Sequence, residues 1–136
     1  MENLNKNYLE YEIAQLKRRL KTKYVAINNA IDVYKKGCDN FHHLQSNFYM
    51  IKQIHNNIMV YEMVIDQLKI ILEMIENAST ENKKHLLDVY YWCECIKRNE
   101  YQLANMDQLL ILSHVINDIK DSYICYKGTF EEKLKE

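Results

Sequence analysis

An all-α fold is predicted, and three observations predict it. The chain of 136 residues holds no Pro and only two Gly, so almost nothing punctuates strands or tight turns. Leu, Ile, Lys, Glu, Gln and Met, all good helix formers, fill long unbroken stretches. Between Asp39 and Asn77 the apolar residues keep a seven-residue beat for five repeats. Leu44, Ile51, Ile58, Ile65 and Leu72 form one series, and Asn47, Ile54, Tyr61, Leu68 and Ile75 form its companion; this is a helix period, not a strand period. Met50, Val64 and Ile71 widen the stripe beyond the seam of a two-stranded coiled coil, which calls for several helices around one core. The expected architecture is one helical domain over residues 1–136, an antiparallel bundle of four long helices with a short C-terminal helical tail. A chain of this size buries about two thirds of its unfolded surface without a metal or a disulfide framework.

The first helix is expected over 3–36. Ile13, Leu20, Ile27 and Tyr34 lie seven apart, Leu9, Leu16 and Ala30 make the second series, and Lys23 interrupts it. Gly37 takes the left-handed cap that ends a helix, and the link Gly37-Cys38-Asp39-Asn40 is short enough to fold the second helix, 39–77, back as an antiparallel hairpin capped by Asp39 or Asn40. Asn77-Ala78-Ser79-Thr80-Glu81-Asn82 breaks the beat with turn and cap residues. A third helix is expected over 80–98, with Leu86, Val89, Tyr90, Cys93 and Ile96 facing inward. Asn99-Glu100-Tyr101-Gln102 reads as a capping box that opens a fourth helix, 100–127. That helix carries Leu109, Leu112, Ile116, Ile119, Tyr123 and Tyr126, and Gly128 is expected to stop it. Thr129-Phe130-Glu131-Glu132 reads as a second capping box, adding a turn or two of tail over 129–136.

Charge is unevenly spread. The formal net charge is -1, but residues 1–36 carry eight Lys/Arg against four Asp/Glu, whereas residues 99–136 carry four against seven. Such polarity suits association with an oppositely charged surface. The N-terminal residues have no apolar core of a signal peptide, and no later stretch approaches eighteen uncharged apolar residues. A cytoplasmic protein with no membrane partner is expected, and Cys38, Cys93, Cys95 and Cys125 are then read as reduced thiols. The abundance of Asn, Lys, Ile and Tyr hints at an AT-rich genome, as in many phages, other viruses and low-GC bacteria.

Residues able to carry chemistry are few. Cys93-x-Cys95 and His42-His43, with isolated His55, His85 and His114, offer zinc-ligand types, but two residues apart on a helix point about 200° apart around its axis. No H-E-x-x-H, E-x-x-H, Gly-rich phosphate loop or nucleophile elbow occurs. Arg98-Asn99 begins like the Arg-to-His motif of the HEPN-type helical nucleases, but Gln102, Leu103 and Ala104 stand where the His belongs. No enzyme, catalytic residue, metal or cofactor is therefore expected. Lys17, Arg18, Arg19, Lys21 and Lys23 place five positive charges in seven residues, enough to meet several phosphates or an acidic protein surface, or simply to solvate a helix face.

The run Glu76-Asn-Ala-Ser-Thr-Glu-Asn-Lys-Lys-His-Leu-Leu-Asp-Val-Tyr-Tyr-Trp92 resembles the segment ahead of the helix-turn-helix in phage late-gene transcription regulators of the ArpU and RinA type. In that family a short helix ending in Ile-Ala, a turn and a basic recognition helix beginning at Ser follow. The resemblance implies that Leu103-Ala104 stands for the Ile-Ala, Ser113 for the Ser, and His114 to Lys127 for the DNA-reading segment.

Eleven tyrosines are too many for one modest core, since each hydroxyl needs a partner or water. Tyr90, Tyr91, Trp92, Tyr101, Tyr123 and Tyr126 are read as a protein-binding surface, the residue types that interfaces favour. Two functions compete on this page. The first is a non-enzymatic helical protein of phage or viral type that binds a protein partner and inhibits or otherwise modulates it; the second is a DNA-binding transcription regulator. A homodimer is also expected. A helix over 39–77 spans about 58 Å at 1.5 Å per residue, whereas a compact domain of this size is about 37 Å across. Either the helix breaks at His55-Asn56-Asn57 or a second copy covers the overhang, with the basic first helix of one copy near the acidic fourth helix of the other.

Overall fold

A computed structural model describes residues 2–135, with side chains for 4–133 and Lys135; Met1 and Glu136, which the expected domain and tail include, lie outside the described residues. The fold is all-helical, with five α-helices and no strand among the described residues. They are α1 (Glu2–Lys36), α2 (Phe41–Asn77), α3 (Thr80–Leu86), α4 (Val89–Arg98) and α5 (Met106–Lys135), with a 3-10 turn at Glu100–Gln102.

The hairpin of α1 and α2 forms as the heptads require. Gly37 adopts φ +91°, the left-handed conformation that glycine takes without a Cβ penalty. Of the two candidate caps Asn40 is the one used: its side chain accepts the His43 N–H at 2.8 Å. The helices run antiparallel, since Asn47 donates to the Ala30 carbonyl at 3.0 Å, the Tyr34 and Phe48 rings lie 5.2 Å apart, and Tyr24 donates to Glu62. No break occurs at His55-Asn56-Asn57. Asn57 hydrogen-bonds the Gln53 carbonyl within the helix at 2.9 Å, and Asn56 is buried.

Three boundaries differ from the sequence expectation, each for a local reason. The helix expected over 80–98 is two helices, because Asp88 turns its carboxylate onto the Tyr90 N–H at 3.0 Å and starts α4 afresh. Competition between Asp side chains and the helical backbone favours such a cap. The helix expected over 100–127 begins at Met106. Asn99 turns its amide back onto the Cys95 carbonyl at 2.8 Å and onto Gln67 at 3.0 Å while its oxygen accepts from Gln102 at 3.1 Å, so it caps no helix start and Glu100–Gln102 closes only a 3-10 turn. The working exchange lies further on: Asn105 accepts the Gln108 N–H at 2.9 Å while Gln108 accepts the Ala104 N–H at 2.8 Å. Finally Gly128 does not stop the helix, and the tail expected over 129–136 is the end of α5. One interior Gly costs about 1 kcal/mol, and Thr129 settles its hydroxyl on the Cys125 carbonyl one turn back at 3.1 Å.

Buried residues from all five helices form one core. It holds Tyr8, Leu9, Ile13 and Leu16 of α1, the stretch from Val60 to Ile75 of α2, Leu86 of α3, Trp92 and Ile96 of α4, and Leu112 to Ile119 of α5. Ile58 and Ile65, central to the beat, are buried. The core stops short of the hairpin tip. Between Leu16 and Ile58 only Ala30, Asn47 and Asn56 are buried, so residues 17–57 form an arm of two helices that protrudes about 30 Å, some twenty residues at 1.5 Å each. A polar knot marks its root, where Asn56 accepts from Gln108 at 3.0 Å and from Asn105 at 3.3 Å. The accessible surface of 9094 Å² exceeds the roughly 7,500 Å² expected of a compact 16.4 kDa chain, as an elongated molecule should.

Candidate functional site: the hairpin arm

The arm differs from the body in charge and in surface. Residues 17–57 carry Lys17, Arg18, Arg19, Lys21, Lys23, Lys35, Lys36 and Lys52 against Asp32 and Asp39. Eight against two gives the arm +6, and with a whole-chain charge of -1 the remainder carries -7. Lys17, Arg18, Arg19 and Lys21 are exposed. Lys23 is not part of that display: it is half-buried with its ammonium 5.0 Å from the centre of the Tyr61 ring, and burial, with Arg19 nearby, lowers its pKa. Four of the five basic residues singled out from the sequence thus reach solvent, and the fifth anchors the arm to its root by a cation–π contact.

The arm also concentrates exposed apolar groups. Of the seventeen large hydrophobic residues exposed in the described chain, eight lie on it: Tyr24, Val25, Val33, Tyr34, Phe41, Phe48, Tyr49 and Met50. Phe41 is 74% exposed and Tyr49 66%. Isolated exposed hydrophobics are ordinary, but aromatic side chains interleaved with cations on a two-helix projection are what a docking surface requires. Apart from Tyr34 and Met50, which were assigned to or beside the inner stripe, and Tyr24, one of the tyrosines too numerous for the core, these residues escaped the sequence reading. A signal existed, since Phe41 and Phe48 are themselves seven apart and lie outside the beat.

The aromatic group proposed from sequence divides. Tyr90 and Tyr101 are exposed, at 57% and 79%. Tyr91, Tyr123 and Tyr126 are half-buried, and Trp92 is fully buried, which removes Trp92 from any surface. Its position explains the correction: Val89, Trp92, Cys93 and Ile96 follow the i, i+3, i+4, i+7 spacing of one helix face, and its indole N–H donates to the Leu86 carbonyl. Tyr90, expected inside, lies at the flank of that face, about 100° around the axis from Val89, and is exposed. Trp92 stacks on Tyr8 at 6.3 Å, and Tyr123 and Tyr126 close around Tyr8 at 5.3 and 5.2 Å. These rings form an aromatic cluster at the base of the molecule, with Tyr8 and Trp92 inside it and Tyr123 and Tyr126 at its edge.

Inside that base lies an ionisable pair. The single proton of the Tyr8 hydroxyl faces two acceptors, the Ile119 carbonyl at 2.7 Å and Glu12 Oε2 at 3.2 Å. The shorter bond goes to the carbonyl, and Glu12, 3% exposed, accepts the longer one. Burial raises the Glu12 pKa, with Asp118 pushing the same way and Tyr8 and Arg19 opposing; burial, followed by Glu12, raises that of Tyr8.

Among the described residues no group of three or more His, Cys, Asp or Glu comes together, and no described helix is long and apolar enough to cross a membrane. The segment that the resemblance marks as DNA-reading lies wholly inside α5. Ser113 donates to the Leu109 carbonyl at 3.3 Å within that helix, so no turn precedes it. Comparison with protein-family models, curated proteins and solved structures finds no match.

Proposed function

We propose that this chain is a non-enzymatic, single-domain regulator that docks its basic, aromatic-studded arm on the acidic surface of a protein partner and inhibits that partner. The observation that carries the proposal is the segregation of charge: an arm of +6 on a body of -7, with eight exposed large hydrophobics on the same arm. Opposite potentials steer encounter and set register, while desolvated aromatics supply the binding energy. A phage or other viral protein acting inside a host cell is the setting consistent with the composition.

The test is capture of the partner from the native host with the tagged chain and two arm variants. R18E/R19E/K21E reverses the exposed charge, and F41S/F48S removes the exposed rings. Each is expected to lose the partner, while Tyr101→Ser on the body is expected to retain it. Retention by both arm variants would place the interface elsewhere.

A second function, transcription regulation through DNA as in the ArpU and RinA type, draws on the same positive arm. It predicts a steep loss of duplex affinity with salt, since each phosphate contact contributes a slope of about 0.9 in log–log form. Flat or absent duplex binding would remove it. The charge segregation also gives the chain a partner in itself, the arm of one copy lying against the acidic body of another in a homodimer.

A further inference from the structure

Although the body carries -7, one groove on it is positive. Tyr90, Cys93, Glu94 and Lys97 form one face of α4 at i, i+3, i+4, i+7, and across from them stand Ile116 and Lys120 of α5, with Arg98 at the rim; the groove between the helices holds about 360 Å³. Lys97, Arg98 and Lys120 face Glu94 as the lone acid in the lining, a balance of +2. The floor adds no charge. Cys93 and Ile116 are buried, and burial pushes the Cys93 thiol up to about 11, against the pull of Lys120, so it stays a neutral thiol at pH 7.

The cations are only loosely engaged. Arg98 approaches Glu94 at 3.7 Å and Lys97 approaches Glu100 at 4.0 Å, both on side chains that are largely exposed; such pairs contribute little and are readily exchanged. The Lys120 ammonium sits 5.9 Å from the centre of the Tyr90 ring, at the outer limit of a cation–π contact. It is free to swing to an anion while the exposed Tyr90 ring offers a flat apolar wall. A phosphate monoester carries about -1.5 to -2 at pH 7, which matches the +2 of the groove better than a carboxylate does, and guanidinium and ammonium donors suit its oxygens. A volume of about 360 Å³ lies at the small end of ligand sites.

We propose that the α4–α5 groove binds a small aryl or nucleoside phosphate, its ring against Tyr90 and its phosphate held by Lys97, Arg98 and Lys120. This site is separate from the arm and independent of the partner proposed above.

Calorimetric titration of the full chain with phenyl phosphate, adenosine monophosphate, phenol, benzoate and inorganic phosphate tests it. At least one of the two aromatic phosphates is expected to bind at millimolar concentration or below, and at least tenfold more tightly than phenol, benzoate or inorganic phosphate. K120Q and R98Q are each expected to weaken it about tenfold, a loss of one charge-assisted hydrogen bond, and Tyr90→Ala is expected to reduce it to the affinity of inorganic phosphate. All three side chains are at the surface of the groove, so unchanged circular dichroism serves as the folding control. Failure of both aromatic phosphates to bind at millimolar concentration overturns the site. Equal binding of phenol or benzoate overturns the phosphate assignment, equal binding of inorganic phosphate overturns the role of Tyr90, and wild-type affinity in both charge variants overturns the location.

Discussion

Ile51, Ile58 and Ile65 occupy the same position of one heptad series, yet the structure gives them different surroundings, and truncating them one at a time separates arm from body. Ile65 is 4% exposed and Ile58 is 6%, whereas Ile51 is half-buried. Changing Ile to Ala removes three carbons, and at about 0.8 kcal/mol for each buried methylene the transfer loss is about 2.4 kcal/mol. The cavity left behind brings the total at Ile65 or Ile58 to about 2–5 kcal/mol. At Ile51 part of the side chain already meets water and the arm closes readily around the gap, so about 1 kcal/mol is expected. Urea unfolding measures the difference, with the fluorescence of Trp92, buried in the body, as one probe and helix circular dichroism as the other. The body variants should shift the midpoint of both probes at constant slope. The Ile51 variant should shift the fluorescence transition little. Equal losses at Ile51 and Ile65 would mean that residues 17–57 are packed as tightly as the body, and unchanged midpoints at Ile58 and Ile65 would mean that the heptad register is wrong.

Glu12→Gln should stabilise the fold at neutral pH. Because the folded pKa of Glu12 is raised, its contribution to stability is complete below the unfolded carboxyl value and is lost as pH rises through the folded one. The gap between the variant and the parent should therefore close on acidification; a gap that widens toward low pH would refute the raised pKa. All four cysteines are free and should react with a thiol reagent after unfolding without prior reduction. In the native protein exposed Cys125 should react first and Cys93, buried and raised to about 11, last; early loss of Cys93 would contradict its place under the groove. Light scattering on a sizing column at micromolar concentration should return about twice 16.4 kDa at low salt and approach the monomer as salt screens the arm. A monomer mass at low salt would refute arm-to-body association.

The fold was legible where one physical signal acts alone. The seven-residue beat gave the hairpin, its buried Ile58 and Ile65 and the turn at Gly37, because one stripe facing one partner helix leaves an unambiguous period. Errors fell where two local preferences compete within a few residues. Asn99 and Gln102 have the spacing of a capping box, but the Asn99 side chain is taken up by Cys95, Gln67 and Gln102, and the pair that does the capping, Asn105 and Gln108, lies six residues on. Asp88 reads as one polar residue in a helical run, yet its carboxylate caps α4. The candidate surface was half legible. Composition exposed the basic run Lys17 to Lys23, but which tyrosines reach water depends on how α5 crosses α1, a tertiary fact with no short-range trace. Tyr8 is the clearest case, since nothing in Asn7-Tyr8-Leu9 distinguishes it from exposed Tyr11.

The limits of the arm were nevertheless written in the sequence, in a second pattern beside the beat. Where α2 enters the body it needs two apolar faces, one for α1 and one for α4 and α5. Val60, Val64 and Ile71 supply the second face, and all three are buried. Stepping back by sevens from Val60 reaches Gln53 and Ser46, and from Val64 reaches Asn57 and Met50. The second face turns mainly polar at the point where the core ends, while the first continues to Leu44 with Asn47 as its one polar member. A helix selected to bury its tip in a permanent hydrophobic dimer would carry both stripes to the end, as obligate interfaces resemble a core cut in half. This one keeps the stripe that holds the hairpin together and gives up the stripe that would seal it against another core. What remains outward is cationic and aromatic, the chemistry of a wet, steered and reversible contact. That supports the proposed exchangeable partner and makes a salt-sensitive self-association the expected form of any dimer, in preference to an obligate one.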